Sequence, residues 1–262
     1  MCYYNGQKVT KAEYIRLLEL EKQLADYDYF ERSLQSGFDY GKAAIIKPSV
    51  DKKDMDIVQM YWGFIPSYIR NHDALTKMRM GYKDDKGQFR PAMITLNAVS
   101  EEILAPNKIY RDAALHRRCL VISSGFYEWQ HVFPLNKRTG LPLKTANKYP
   151  YHIKLKNREY FYMAGIWQPW TDKETGEYVE SFAIITTKAN ALMEKIHNTK
   201  KRMPTILTDE LAYEWIFGNL SEERISEIAR FQISPDQMEA WTIRKDFREC
   251  LDPTEHFEYA EL

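Results

Sequence analysis

Apolar and polar positions along the chain divide it into many short strands with a few helices between them. Arg118-Cys119-Leu120-Val121-Ile122-Ser123 is a clear strand and runs into Gly125-Phe126-Tyr127-Glu128-Trp129. Gln59–Pro66 reads as a strand closed by a Gly/Pro turn. Ala92–Asn97, Tyr149–Lys156, Tyr160–Trp167 and Ser181–Thr187 read as further strands, with a turn around Asp172–Gly176. Helical spacing is rarer. Thr10-Lys11-Ala12-Glu13 has the form of a capping box, and Leu17, Leu20, Leu24 and Tyr27 follow it, which predicts a helix to about Tyr27. Further helices are expected from Asn190 to about Ile196, over Asp209–Phe217 up to Gly218, and over Glu222–Phe231 with Ser221 as N-cap. Polar Asn71–Arg90 reads as an exposed loop. With no internal repeat and no linker, the pattern predicts one α+β domain over residues 1–262, rich in antiparallel strands. Its core spans about 1–217, and 218–262 form a C-terminal helical extension.

Composition narrows the class. Hydrophobic residues make up 44% and charged residues 28%, as in an ordinary soluble globular protein. Lys+Arg and Asp+Glu both number 37, so no global field attracts a polyanion, and nucleic-acid binding would need a local basic patch. One candidate is the segment 131–158, which holds seven Lys/Arg and no acid and begins as a long hairpin loop. Cys2, Cys119 and Cys250 are too few for a disulfide framework, and no C-x-x-C pair suggests zinc. No signal peptide and no membrane-spanning run is visible, which predicts a cytoplasmic protein. Neither a metal nor a cofactor is expected.

Four places set reactive groups at strand ends or turns: Cys2, Asn97, Glu128 and His197. Removal of Met1 would leave Cys2 with an α-amine and a thiol on adjacent carbons. Such a pair attacks one electrophilic carbon twice, or acts as an N-terminal nucleophile on an acyl group. Glu128 stands among Phe126, Tyr127 and Trp129, which would raise its pKa into a useful acid/base range. His197 follows a helix whose C-terminal end favours its protonated form. Asn97 can orient an amine or a hydroxyl, and Lys200, Lys201 and Arg202 can contact phosphates. Each has a plainer reading: an outward strand residue for Glu128, a helix cap for His197, an Asx turn for Asn97 and a solvated loop for the basic run.

Order and context add to this. Met1-Cys2, Trp62-Gly63-Phe64-Ile65-Pro66, Leu96-Asn97-Ala98, Ser124–Trp129, Ala164-Gly165-Ile166-Trp167, Ile184-Ile185-Thr186-Thr187 and Ile196-His197 with Arg202-Met203-Pro204 together resemble the SRAP (SOS response-associated peptidase) family. The resemblance spans roughly Met1 to Trp215. It implies a barrel-like β core with flanking helices and a cleft for single-stranded DNA containing an abasic site, with Trp62, Trp129, Lys200, Lys201 and Arg202 as DNA contacts. It further implies that Met1 is removed by self-processing and that Cys2 forms a thiazolidine crosslink with the ring-opened aldehyde. Asn97 would position the amine, Glu128 would serve Met1 removal and proton transfer, and His197 would assist the Schiff-base steps. A monomer that joins the bacterial nucleoid when DNA is damaged is expected. The family usually begins Cys-Gly-Arg and has Asn-Ala-Arg, where this chain has Cys2-Tyr3-Tyr4 and Asn97-Ala98-Val99, and its His-to-Arg-Met-Pro spacing is longer. Two other functions fit the same residues: a thiol peptidase or amidase acting in trans, and a non-covalent single-strand binding module.

Overall fold

The computed structural model describes residues 2–262; Met1 lies outside the described residues. Five strands close a barrel. Lys42–Pro48 pairs antiparallel with Met55–Trp62 on one side and Arg118–Ser123 on the other. Arg118–Ser123 then pairs with Phe161–Thr171, and Phe161–Thr171 with Tyr178–Lys188. The ring closes through a parallel pairing of Tyr178–Lys188 with Met55–Trp62. These strands are apolar on both faces because both faces are covered. Ile45, Val121, Met163 and Ile184 point to one cluster, while their neighbours Ile46, Leu120, Ala164 and Ile185 point to the other.

The second of these faces receives the helices. Asp209–Phe217 and Glu222–Ala229 start at Thr208 and Ser221, whose hydroxyls accept from Leu211 N–H and Arg224 N–H. They bring Trp215, Ile225 and Ile228 onto the barrel. The indole of Trp215 donates to the carbonyls of Cys119 and Gly165, both at 3.1 Å, which locks helix to barrel. On the first face lies a five-stranded antiparallel sheet in the spatial order Met238–Thr242, Asn147–Leu155, Gly125–Val132, Tyr4–Lys8, Glu31–Ser36. Cys2, Trp62, Phe126 and Ile153 fill the space between sheet and barrel. The α+β class and the barrel core are as the sequence predicts.

Four local expectations are corrected. The helix expected from Thr10 to Tyr27 is a hairpin, Tyr14–Leu17 with Leu20–Gln23. The donors at the start of the expected helix are taken elsewhere: the backbone N–H groups of Thr10, Lys11 and Ala12 donate to the Glu159 carboxylate at 2.5, 2.7 and 2.8 Å. Ile15 and Leu17 are buried on either side of exposed Arg16, a period of two. Within Asn71–Arg90, helix His72–Met80 is capped by Asn71 and buries Leu75 and Met78, and a short hairpin follows it. Ala92–Asn97 is irregular, with Met93 and Ile94 exposed; only Asn97–Val99 pairs, parallel to Tyr178–Lys188. The region after residue 217 is only partly helical: Glu222–Ala229 is a helix, but Met238–Thr242 forms the edge of the sheet against Asn147–Leu155.

Candidate active site at the Cys2 terminus

Cys2 enters the core just before the strand Tyr4–Lys8, which is held between Gly125–Val132 and Glu31–Ser36. Its side chain is fully buried and its Sγ–H points at the Tyr4 carbonyl, 3.7 Å away. The Asn97 amide nitrogen donates to the Cys2 carbonyl at 2.9 Å. Asn97 is itself fixed from both sides. Tyr110 Oη donates to its carbonyl at 3.2 Å, and the Trp62 indole donates to the Leu96 carbonyl at 3.0 Å. The Asn97 Oδ1 is buried with no hydrogen-bond partner among the described residues, so it is an acceptor in place for a donor.

Glu128 projects from the strand Gly125–Val132 and is 4% exposed. Burial raises its pKa to about 7, because the low-dielectric interior disfavours the carboxylate. Its Oε2 is 3.8 Å from Nε2 of His197, which is 7% exposed. The His197 Nδ1 lies 2.9 Å from the Arg202 carbonyl, and that contact requires the proton on Nδ1. Nε2 therefore turns its lone pair towards Glu128. Burial lowers the His197 pKa to about 4. The expectation of a protonated His197 at a helix end is thus reversed: the helix Ala191–Ile196 does end there, but loss of solvent outweighs its C-terminal field. Burial acts on the thiol too. Burial, with the Glu128 charge adding to it, holds Cys2 well above the ordinary thiol range, so the group is a thiol and not a thiolate.

The loop after His197 is shaped by residues whose role the sequence did not reveal. Asn198 takes the place of a strand partner: its Oδ1 accepts from His131 N–H at 3.0 Å and its Nδ2 donates to the His131 carbonyl at 2.8 Å. The additional Thr199-Lys200-Lys201 turns back through the Lys201 N–H, which donates to the His197 carbonyl at 2.8 Å with Lys201 left-handed at φ 50°.

Glu128 and His197 open into a cleft of about 440 Å3, whose wall also includes Tyr3, Trp129, His131, Lys148, Lys200 and Arg248. Of the expected DNA contacts, Trp129 and Lys200 are there. Trp62 is not: it is 1% exposed, and its only polar atom is spent on Leu96, so it supports Asn97 and cannot stack on a base. Arg202 is likewise turned inward, donating to both Glu101 carboxylate oxygens at 2.8 Å and to the Thr186 carbonyl. Lys201 lies outside the cleft wall, with its Nζ 4.0 Å from Glu194. His131 and Lys148 belong to the basic 131–158 segment singled out by composition, Tyr3 stood out only as a departure from the family's Cys-Gly-Arg, and Arg248 carried no signal of its own. Among the described residues no three His, Cys, Asp or Glu side chains converge as metal ligands, and no helix is long and apolar enough to cross a membrane.

Comparison with known proteins gives the family. The family model "SOS response associated peptidase (SRAP)" matches residues 1–249. The Bacillus subtilis abasic site processing protein YoqW is 32% identical over 185 residues, covering 71% of this chain and 68% of its own. The abasic site processing protein HMCES of Gallus gallus is 26% identical over 226 residues, covering 80% and 61%. A solved structure from Bacteroides thetaiotaomicron superposes with a TM-score of 0.70 at 29% identity and covers 97% of both chains. Another from Bordetella bronchiseptica, at 17% identity and a TM-score of 0.62, shares the fold. The family model over residues 1–249, together with a relative 32% identical over 185 residues, shows that this chain, with its buried Cys2 held by Asn97, belongs to the SOS response-associated peptidase family.

Proposed function

We propose that this protein processes abasic sites in single-stranded DNA and shields them as a covalent crosslink. The observation that supports this reading is the 2.9 Å bond from Asn97 to the Cys2 carbonyl, with the Glu128 charge near enough to act on the Cys2 thiol and His197 3.8 Å from Glu128. The names of relatives such as YoqW and HMCES supply the substrate class. In the first step Met1 is hydrolysed from Cys2 once, with Glu128 as the base that activates the attacking group. The amine so released becomes the donor for which Asn97 Oδ1 is in place.

An α-amine has a pKa of roughly 7.7–8.0, so a base must take its proton before it attacks the open-chain aldehyde. Glu128, at about 7, accepts that proton and returns one to the departing hydroxyl of the carbinolamine. A C–N bond forms, one water leaves, and an iminium results. The Cys2 sulfur then adds to the same carbon. Its C–S bond closes the five-membered ring, the C=N electron pair moves onto the ring nitrogen and cancels the iminium charge, and the proton lost from sulfur passes to a base. The net change is aldehyde plus aminothiol to thiazolidine plus water. Because burial keeps Cys2 protonated, ring closure needs a base at hand, and neutral His197 is the available one.

The test is a denaturing gel after incubation with single-stranded DNA carrying one abasic site. A DNA–protein band that survives denaturation is expected, absent with intact DNA and absent for Cys2→Ala. An unchanged band from Cys2→Ala would overturn the proposal. Steady turnover of peptides by the mature protein without DNA would replace it with a peptidase acting in trans.

A further inference from the structure

The cleft has a third cationic wall that comes from the far end of the chain. After the edge strand Met238–Thr242 the backbone turns through Phe247–Glu249. Phe247 is 1% exposed and stacks on Tyr127 at 5.2 Å and 14°, with Trp129 and Tyr4 at 6.0 and 6.3 Å. Tyr259 Oη donates to the Ile243 carbonyl at 2.7 Å, and the Trp241 indole donates to the Thr254 carbonyl at 2.7 Å, so the segment is tied down on both sides of that turn. The residue after this aromatic anchor is Arg248. Its side chain is exposed, lines the same cleft as Glu128 and His197, and donates to Tyr4 Oη at 3.3 Å.

Its charge is unspent. Arg244 in the same segment is neutralised by Asp246 at 2.7 Å, and Arg202 by Glu101 at 2.8 Å. Among the described residues Arg248 has no carboxylate partner, and neither do Lys148 and Lys200 on the other walls. Three unpaired cations thus surround a cleft whose one lining carboxyl, Glu128, is buried. In a chain of zero net charge this is the concentrated positive field that a polyanion needs. Arg248 is the best suited of the three. Its guanidinium presents paired N–H donors that match two phosphate oxygens, and the contact with Tyr4 limits its rotamers before binding.

We propose that Arg248 is a phosphate-binding residue of the cleft, placed by the Phe247 anchor, and that with Lys148 and Lys200 it holds the single-strand backbone across the Cys2 site. The proposal rests on reading the cleft as a DNA site, and its test is separate from crosslinking. Binding of a fluorescent single-stranded oligonucleotide with intact bases is followed by anisotropy at several salt concentrations. Arg248→Ala should weaken binding about three- to tenfold at low salt and flatten the plot of log K against log salt by about 0.7, the loss of one phosphate contact. Arg248→Lys should keep the slope, since the charge remains, and recover part of the affinity. A wild-type slope and affinity for Arg248→Ala would overturn the proposal, as would failure of the wild-type protein to bind this oligonucleotide. The crosslinking gel with abasic DNA is run alongside. A slope change without any crosslink leaves the phosphate site standing and removes the covalent reading. A crosslink without a slope change does the reverse.

Discussion

Glu128 is poised between its protonated and ionised forms near neutral pH, where an ordinary glutamate is ionised, and the reason is burial, which raises its pKa to about 7. A raised carboxyl favours the folded state most at low pH, below its unfolded value, and that contribution is lost as pH rises through about 7. Above this the fold holds a buried carboxylate at a cost. Glu128→Gln should therefore be more stable than wild type at pH 8, by up to about 3 kcal/mol, with the gain vanishing near pH 4. Thermal unfolding at the two pH values checks this; an equal effect at both would contradict it. If Glu128 shuttles protons as proposed, the same substitution should slow crosslinking about 100-fold or more at neutral pH. His197 has the opposite profile. With its pKa lowered to about 4, it stays neutral through the working range and can accept the thiol proton.

At the level of elements, the strand Gly125–Val132 does most of the positioning, and its first residue shows how tightly. Gly125 has φ 159°, and a Cβ there would fall 2.2 Å from Nε2 of His152 on the neighbouring strand. His152 is packed between Tyr127 at 5.0 Å and Trp241 at 4.8 Å, so making room would disturb both ring contacts. Gly125→Ala should cost about 2 kcal/mol or more, and because the displaced strand carries Glu128, crosslinking should fall with it. A variant with wild-type Tm and activity would contradict this. The elements legible in the sequence were those with local punctuation. Asp209–Phe217 has its Thr208 cap and Gly218 stop, Ala191–Ile196 has its Asn190 cap, and Arg118–Ser123 is an unbroken apolar run. The Tyr14–Gln23 hairpin was misread because Glu159, which takes the donors at its start, lies about 150 residues further along the chain. The same distinction runs through the site. Cys2, Asn97, Glu128 and His197 were visible from residue type and context. The burial of Trp62, the inward turn of Arg202 and the arrival of Arg248 depend on packing between distant segments, which residue type does not reveal.

For the molecule as a whole, the closed barrel supplies rigidity, and the second sheet closes over Cys2 from the other side. Two buried histidines then set an acid limit. His152 and His197 are both lowered to about 4, chiefly by burial. A lowered base stabilises the fold above its unfolded pKa of about 6.5, and that contribution is lost as pH falls towards 4. The Tm should drop steeply between pH 6.5 and pH 4, and His152→Gln should flatten part of that drop, since an amide takes up no proton there. A parallel pH profile for His152→Gln would show that its protonation is not what limits the fold.

The central claim is that Cys2, freed of Met1, bonds to the abasic aldehyde. Intact-mass spectrometry of the protein before and after incubation with a defined abasic oligonucleotide reads both events. The account predicts a starting mass lower by one methionine, then a species equal to protein plus oligonucleotide minus one water, absent for Cys2→Ala. Retention of Met1, or an adduct that Cys2→Ala still forms, would contradict it.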